Sequence, residues 1–162
     1  MTARNSAAAT ATKPSDRVLT LSRVFDAPRS LVFKVWTQPE HIVRWWGCPT
    51  TKGATCKLDP RQGGAWRVVM QLDDGADRVV SGVYREVVPP ERLAFTWAWE
   101  DADGTRGHET LVTVTFAEQG AQTKLTLRQE AFESTEMCDQ HRVGWTASLE
   151  RMVGELAVAA AS

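Results

Sequence analysis

The feature that most constrains the fold is a strict two-residue alternation near the middle of the chain. From Leu93 to Trp99, the odd positions carry Leu, Phe, Trp and Trp, and the even positions carry Ala, Thr and Ala. Successive side chains of a β-strand point to opposite faces, so the pattern places three large rings on one face. A strand with such a face needs a second layer to cover it. The sequence therefore predicts a sheet with one buried side.

The same period of two recurs on both sides of this segment. It begins near Lys52 and continues through a last strand in which Leu125, Leu127 and Gln129 share the inward face. Turn residues at 73–75, 89–91 and 118–120 separate the runs, as in an antiparallel meander. A first strand is predicted at 17–25, where the alternation is imperfect.

Two short helices are predicted between the first strand and the meander. Pro28 suits a first helical turn, and Asp26 offers an N-cap oxygen just before it. Pro39 restarts the helical pattern, which runs into Gly47. The two helices would form a hairpin.

A long amphipathic helix is predicted at the end of the chain, beginning at Ser134. Its stripe needs a partner surface, and the ring-bearing face of the sheet is the large one available. Where a curved sheet and a helix diverge, an apolar gap remains. The residues that recur at spacings of three and four are His141, Trp145, Ser148, Leu149, Met152, Val153 and Leu156.

Length and charge exclude several classes of protein. The chain has 162 residues and a formal net charge of -1, which suits one soluble domain with no general attraction to nucleic acid. No apolar run approaches the roughly 20 residues of a membrane span. Cysteines at 48, 56 and 138 lack CxxC spacing, which favours reduced thiols and a cytoplasmic location. Residues 1–16 are predicted to be a disordered tail, with a transit peptide as the alternative.

Several short motifs occur in a fixed order along residues 17–158. They are RVFDAP at 23–28, WWG at 45–47, DPRQGGAW at 59–66, GVYRE at 82–86, PPERL at 89–93, TKLTL at 123–127 and GW at 144–145. In these motifs the chain resembles the START-like, or SRPBCC, superfamily of ligand-binding domains. Within it, the chain resembles the bacterial homologues of the activator of the heat-shock-protein-90 ATPase. Cys48 departs from the pattern, because the family usually places Pro directly after Trp-Trp-Gly.

The resemblance implies an α+β fold of the helix-grip, or Bet v 1-like, type. A curved antiparallel sheet would wrap around the long C-terminal helix, with the two-helix hairpin after strand one. The superfamily uses an internal cavity of this fold to bind apolar molecules. We therefore expect the chain to bind a small hydrophobic or aromatic ligand between sheet and helix, without a cofactor.

The inward-facing residues are the candidate ligand contacts. Large inward rings also commonly just fill a core, and an inward His or Gln can be satisfied by its neighbours; both alternatives stay open. Among the candidates, Tyr84, His108, Gln129 and His141 would supply the polar contacts that orient an apolar ligand. The candidates are Trp66, Val68, Met70, Tyr84, Phe95, Trp97, Trp99, His108, Val112, Gln129, His141, Trp145 and Leu149.

Evidence for catalysis is weak in this sequence. It has no HExxH, GxSxG or GxGxxG motif, and its three His residues lie on different predicted elements, which does not favour a metal site. A polyketide cyclase or dehydratase is the first alternative, with His108, Tyr84 or His141 as proton donor or acceptor. Neighbours His108 and Glu109 would point to opposite faces of a strand and would not share a proton. We therefore name no catalytic residue.

A protein-interaction module of the chaperone-activator type is the second alternative. The eukaryotic activators carry an additional amino-terminal domain, which residues 1–16 are too short to supply, so we do not expect a co-chaperone role. Exposed strand edges would allow a homodimer. We expect Asp59, Arg61 and Glu86 to form a salt-bridged clasp beside the Gly63-Gly64 turn.

Overall fold

A computed structural model of the chain describes residues 17–161 as one curved sheet and three α-helices. The predicted α+β helix-grip fold is confirmed. The predicted tail at 1–16 lies outside the described residues. The elements are β1 (Leu19–Phe25), α1 (Arg29–Thr37), α2 (Pro39–Trp45), β2 (Thr51–Leu58), β3 (Ala65–Leu72), β4 (Asp77–Val88), β5 (Arg92–Glu100), β6 (Thr110–Gln119), β7 (Gln122–Glu130) and α3 (Thr135–Ala161).

The sheet has seven antiparallel strands in the order β1-β7-β6-β5-β4-β3-β2. Strands β1 and β2 therefore lie at opposite edges, although only the helical hairpin separates them in the chain. The hairpin must cross the concave side of the sheet, and α1 contacts β6 and β7 while α2 contacts β2. One end of the concave face is thus covered by the hairpin as well as by α3.

The hairpin follows the sequence prediction except at its first cap. Pro28 is the N-cap of α1, and its carbonyl accepts hydrogen bonds from the N–H groups of Leu31 and Val32. The prediction that Asp26 caps this helix is wrong, because no side chain makes the cap bond. Helix α2 begins at Pro39, as predicted.

Helix α3 begins as predicted, where the Ser134 Oγ accepts a hydrogen bond from the Met137 N–H at 3.1 Å. Its buried stripe matches the prediction except at Val153, which is 45% exposed. Glu155 is buried instead, because its carboxylate binds His41 Nδ1 on α2 at 2.6 Å. This contact joins the hairpin to the long helix.

Two further predictions concern the surface. Arg61 pairs with Asp59 at 2.7 Å, but the predicted third member of that clasp is wrong, because Glu86 pairs with Arg92. No helix within residues 17–161 is long and apolar enough to cross a membrane.

Candidate functional site

A cavity of about 110 Å³ lies between the concave face of the sheet and the first half of α3. Four indole rings and two methionine side chains supply most of its apolar wall. The wall also carries one charged side chain and a few neutral polar groups. The residues that line it are Trp46, Gly47, Cys48, Met70, Arg78, Trp97, Trp99, Met137, Gln140, His141, Gly144, Trp145 and Ser148.

Two glycines, one on α3 and one in the loop after α2, contribute backbone to the wall of the cavity. Gly144 of α3 lines the cavity, and a Cβ at this position would meet no atom within 4 Å. Gly47, in the loop after α2, has a φ of +145°, which strongly favours glycine, and a Cβ there would lie 2.6 Å from the Thr51 Cβ. The cavity is therefore bounded on two sides by backbone.

His141 holds two of the wall's indoles in place. Its Nδ1–H donates to the Met137 carbonyl at 2.8 Å, so its Nε2 is the acceptor for the indole N–H groups of Trp97 and Trp99, at 3.2 and 3.0 Å. Burial, and then the positive charge of Arg78, lower the pKa of His141. A neutral His141 therefore holds both rings by hydrogen bonds, and we call His141 with these two bonds the latch.

Ser148 fixes the opposite side of the cavity. Its Oγ–H donates to the Gly47 carbonyl at 2.8 Å, and its oxygen accepts from the Gly47 N–H at 3.0 Å. The loop after α2 is thereby fastened to α3. The polar atoms of Ser148, like those of His141, form hydrogen bonds with other residues of the protein.

A guanidinium and a thiol, those of Arg78 and Cys48, lie at the rim of the cavity. The Arg78 guanidinium carbon lies 4.3 Å from the ring centroid of Trp99. Burial tends to raise the pKa of the Cys48 thiol, but hydrogen bonds with Thr50 and Thr51 outweigh that effect and lower it. Both side chains remain partly open to solvent.

Comparison with known proteins identifies the fold family. The family model described as "Activator of Hsp90 ATPase homolog 1-like protein" matches residues 26–157. The chain belongs to this family. No curated protein matches the sequence.

Solved structures agree with that family and that fold. The AHSA1 protein from Silicibacter pomeroyi is 31% identical, with a TM-score of 0.77 over 87% of this chain and 98% of that one. A protein from Chromobacterium violaceum is 25% identical, with a TM-score of 0.76 over 86% of this chain and 96% of that one. A protein from Arthrobacter aurescens shares the fold, at 23% identity and a TM-score of 0.80, over 90% and 89% of the two chains.

The sequence-predicted contacts of this family member divide between two places on the concave face. We call the 110 Å³ cavity and its wall the open end. The closed end is a separate gap of about 10 Å³ beneath the hairpin, where Trp36 and Ile42 pack against the sheet. Met70, Trp97, Trp99, His141 and Trp145 line the open end, whereas Trp66, Val68, Tyr84 and Phe95 line the closed end.

The remaining predicted contacts reach neither space. Val112 and Leu149 belong to the packed core. Gln129 is fully buried, and it accepts a hydrogen bond from the Trp145 Nε1–H at 2.7 Å and donates to the Thr110 Oγ1 at 2.8 Å. Both ends of its amide hold internal hydrogen bonds, so its role in orienting a ligand stays a prediction.

The predicted inward position of His108 is also wrong. Its side chain is exposed and contacts the carbonyl of Ala131, in a surface groove separate from the cavity. Strand β6 begins only at Thr110, so the alternation of Val112 and Phe116 does not extend back to residue 108. Tyr84, His108 and His141 consequently do not converge on one site.

Several residues that line the open end were not among the predicted ligand contacts. Arg78 has the parity of Val80 and Tyr84 in the run between the predicted turns at 73–75 and 89–91, and this signal could have placed it on the concave face. The cavity-forming role of Gly144 had no such signal, because it depends on what the sheet presents opposite the helix. Within residues 17–161, no group of three or more His, Cys, Asp and Glu side chains could hold a metal ion.

Proposed function

We propose that this protein binds a small planar aromatic molecule at the open end. The observation that carries the proposal is the cavity of about 110 Å³ walled by four indoles. An apolar protein cavity of about 150 Å³ holds a benzene molecule. The open end is smaller, at about 110 Å³, but it opens to solvent at the rim, so it suits at most one aromatic ring, with any substituent directed toward the rim.

The wall is already arranged to receive such a ring. Trp97 contacts Trp46 in a stacked geometry and Trp145 in a tilted one, with centroids 5.4 and 5.1 Å apart. His141 fixes Trp97 and Trp99 by hydrogen bonds, so little side-chain freedom remains to be lost when a ligand enters. Offset and edge contacts with these rings would favour flat aromatic ligands over flexible chains.

The same geometry gives the cyclase alternative no support. His141 is the histidine of the wall, and both of its nitrogens hold internal hydrogen bonds. A general acid or base needs a proton position within reach of the substrate. Binding without turnover is therefore the function that this wall supports best.

The test is a titration of intrinsic tryptophan fluorescence with 4-nitroanisole, a neutral planar quencher. Two helix variants provide the comparison. Gly144→Leu places a side chain in the cavity, whereas Gly154→Leu places one on the exposed face of the same helix, and neither new Cβ meets an atom within 4 Å. Each replacement also raises helix propensity, by about 0.8–1.0 kcal/mol, so both variants should fold.

We expect saturable quenching in the wild type and in Gly154→Leu, and its loss in Gly144→Leu. The physical reason is that the leucine side chain introduced in Gly144→Leu would take the volume that the ring needs. Absence of saturable quenching in the folded wild type would overturn the proposal. Equal quenching of both glycine variants would overturn it as well.

A further inference from the structure

The rim of the open end carries a positive charge that ring binding alone does not use. Arg78 pairs across the β3–β4 ladder with Met70, and Val80 pairs across the β4–β5 ladder with Trp99. Directly paired residues share a face of a sheet, as do residues two apart in one strand. Arg78 therefore belongs to the concave face, at the end where that face meets solvent.

Arg78 forms no ion pair with an acidic side chain of the described residues. No Asp or Glu is among the residues that line the cavity. The lowered pKa of His141, to which Arg78 contributes after burial, is consistent with a positive potential in the wall.

Trp99 holds the guanidinium in a defined place. The distance of 4.3 Å from guanidinium carbon to ring centroid lies well within the range of a cation–π contact. The N–H groups of a guanidinium lie in its plane and point outward from its edge, so a guanidinium that stacks on a ring can still donate hydrogen bonds. A planar fork of donors thus lies beside an aromatic cavity.

We propose that the cavity takes aromatic monocarboxylates, with the ring among the indoles and the carboxylate on Arg78. This inference rests on the proposed function. A carboxylate matches the guanidinium fork in shape and can accept two parallel hydrogen bonds from it. One Arg neutralises one negative charge, which favours a monoanion over a phosphate dianion. The rim position keeps the carboxylate in contact with water, so its desolvation cost stays small.

The experiment compares benzoate with benzamide, its neutral counterpart of nearly equal shape, as competitors of 4-nitroanisole. The wild type is compared with Arg78→Gln and with Arg85→Gln. Arg85 is exposed on the same strand and does not line the cavity, so its replacement changes net charge equally without touching the site.

We expect benzoate to bind about tenfold more tightly than benzamide in the wild type and in Arg85→Gln. In Arg78→Gln the ratio should fall to about one. A ratio near one in the wild type, or a tenfold ratio that survives in Arg78→Gln, would overturn the carboxylate inference. In either case saturable binding of 4-nitroanisole would leave the proposed function standing, whereas its absence would remove both proposals.

Discussion

The two ends of the concave face carry similar side chains and differ in what lies opposite them. At the closed end, Trp66 and Phe95 meet Trp36 and Ile42 of the hairpin, and a gap of about 10 Å³ remains. At the open end, the indoles face Gly144 and a cavity of about 110 Å³ remains. A ring-rich strand face therefore indicates burial, and the facing element decides whether a cavity forms.

The polar groups of the two ends also differ in how far they are buried. At the closed end, the Trp66 Nε1–H donates to the Thr96 carbonyl, and burial raises the pKa of the Tyr84 hydroxyl. At the open end, indole N–H groups bind a neutral histidine side chain, and a charged Arg78 remains at the rim. The closed end is thus tightly packed, whereas the open end has polar and charged groups that a ligand can reach.

The largest expected contrast is in stability. Trp66→Ala should lower the free energy of unfolding by about 3–5 kcal/mol, because the Trp66 side chain is buried in the core. Trp99→Ala should cost clearly less, because its half-buried ring already borders solvent and the cavity. Urea unfolding curves of both variants measure the difference. Equal losses would mean that the two ends are packed alike.

The rate of thiol alkylation should differ between the two ends by at least about tenfold. Burial raises the pKa of Cys56 at the closed end to about 12, whereas the pKa of Cys48 lies below the ordinary thiol value. Only the thiolate reacts, so at pH 8 Cys48 has by far the larger reactive fraction. The stronger nucleophilicity of a high-pKa thiolate offsets part of this advantage, and Cys48 should still be alkylated at least about ten times faster than Cys56. Peptide mass spectrometry after timed iodoacetamide treatment measures both rates. Comparable rates would contradict the contrast.

The sequence predicts the features that depend on neighbouring residues, and it does not predict those that depend on contacts between distant parts of the chain. The ring face of Leu93–Trp99 and the stripe of α3 follow from local periodicity, and both are confirmed except at Val153. The position of His108 failed because strand parity holds only inside a strand. The division between the two ends was not predictable, since it depends on which edge of the sheet the hairpin reaches.

The third contrast concerns two glycines. A Cβ at Gly82 would lie 1.8 Å from the Thr96 carbonyl oxygen and 2.7 Å from the Trp66 Nε1, so Gly82→Ala should destabilise the protein by about 1–3 kcal/mol. Gly144→Ala should stabilise it by up to about 1 kcal/mol through helix propensity. Thermal unfolding of the two variants would reveal the opposite signs. A stabilising Gly82→Ala would show that the closed end has room to spare.

The smallest effect is a pH dependence from the latch. The folded protein holds the pKa of His141 below its ordinary value of 6.5, and Arg78 is the charged side chain in the wall around it. The latch therefore contributes its full stability above about pH 6.5. That stability declines as the pH falls toward the folded pKa, because the unfolded chain binds the proton first.

Two variants isolate this contribution. Unfolding free energies measured between pH 5 and 7 should lose part of their slope in His141→Gln. The slope should persist in His108→Gln, because that histidine is exposed and lies away from the cavity. Identical slopes in the wild type and His141→Gln would show that the latch does not titrate with folding.

Fluorine NMR of protein labelled with 5-fluorotryptophan tests the contrast between the two ends most directly. The chain has seven tryptophans, and single Trp→Phe variants assign their signals. On addition of 4-nitroanisole, we expect the signals of Trp97, Trp99 and Trp145 to move and those of Trp36, Trp45 and Trp66 to stay in place. Movement of the second group with the first unchanged, or no movement at all, would contradict an open end that receives an aromatic ring.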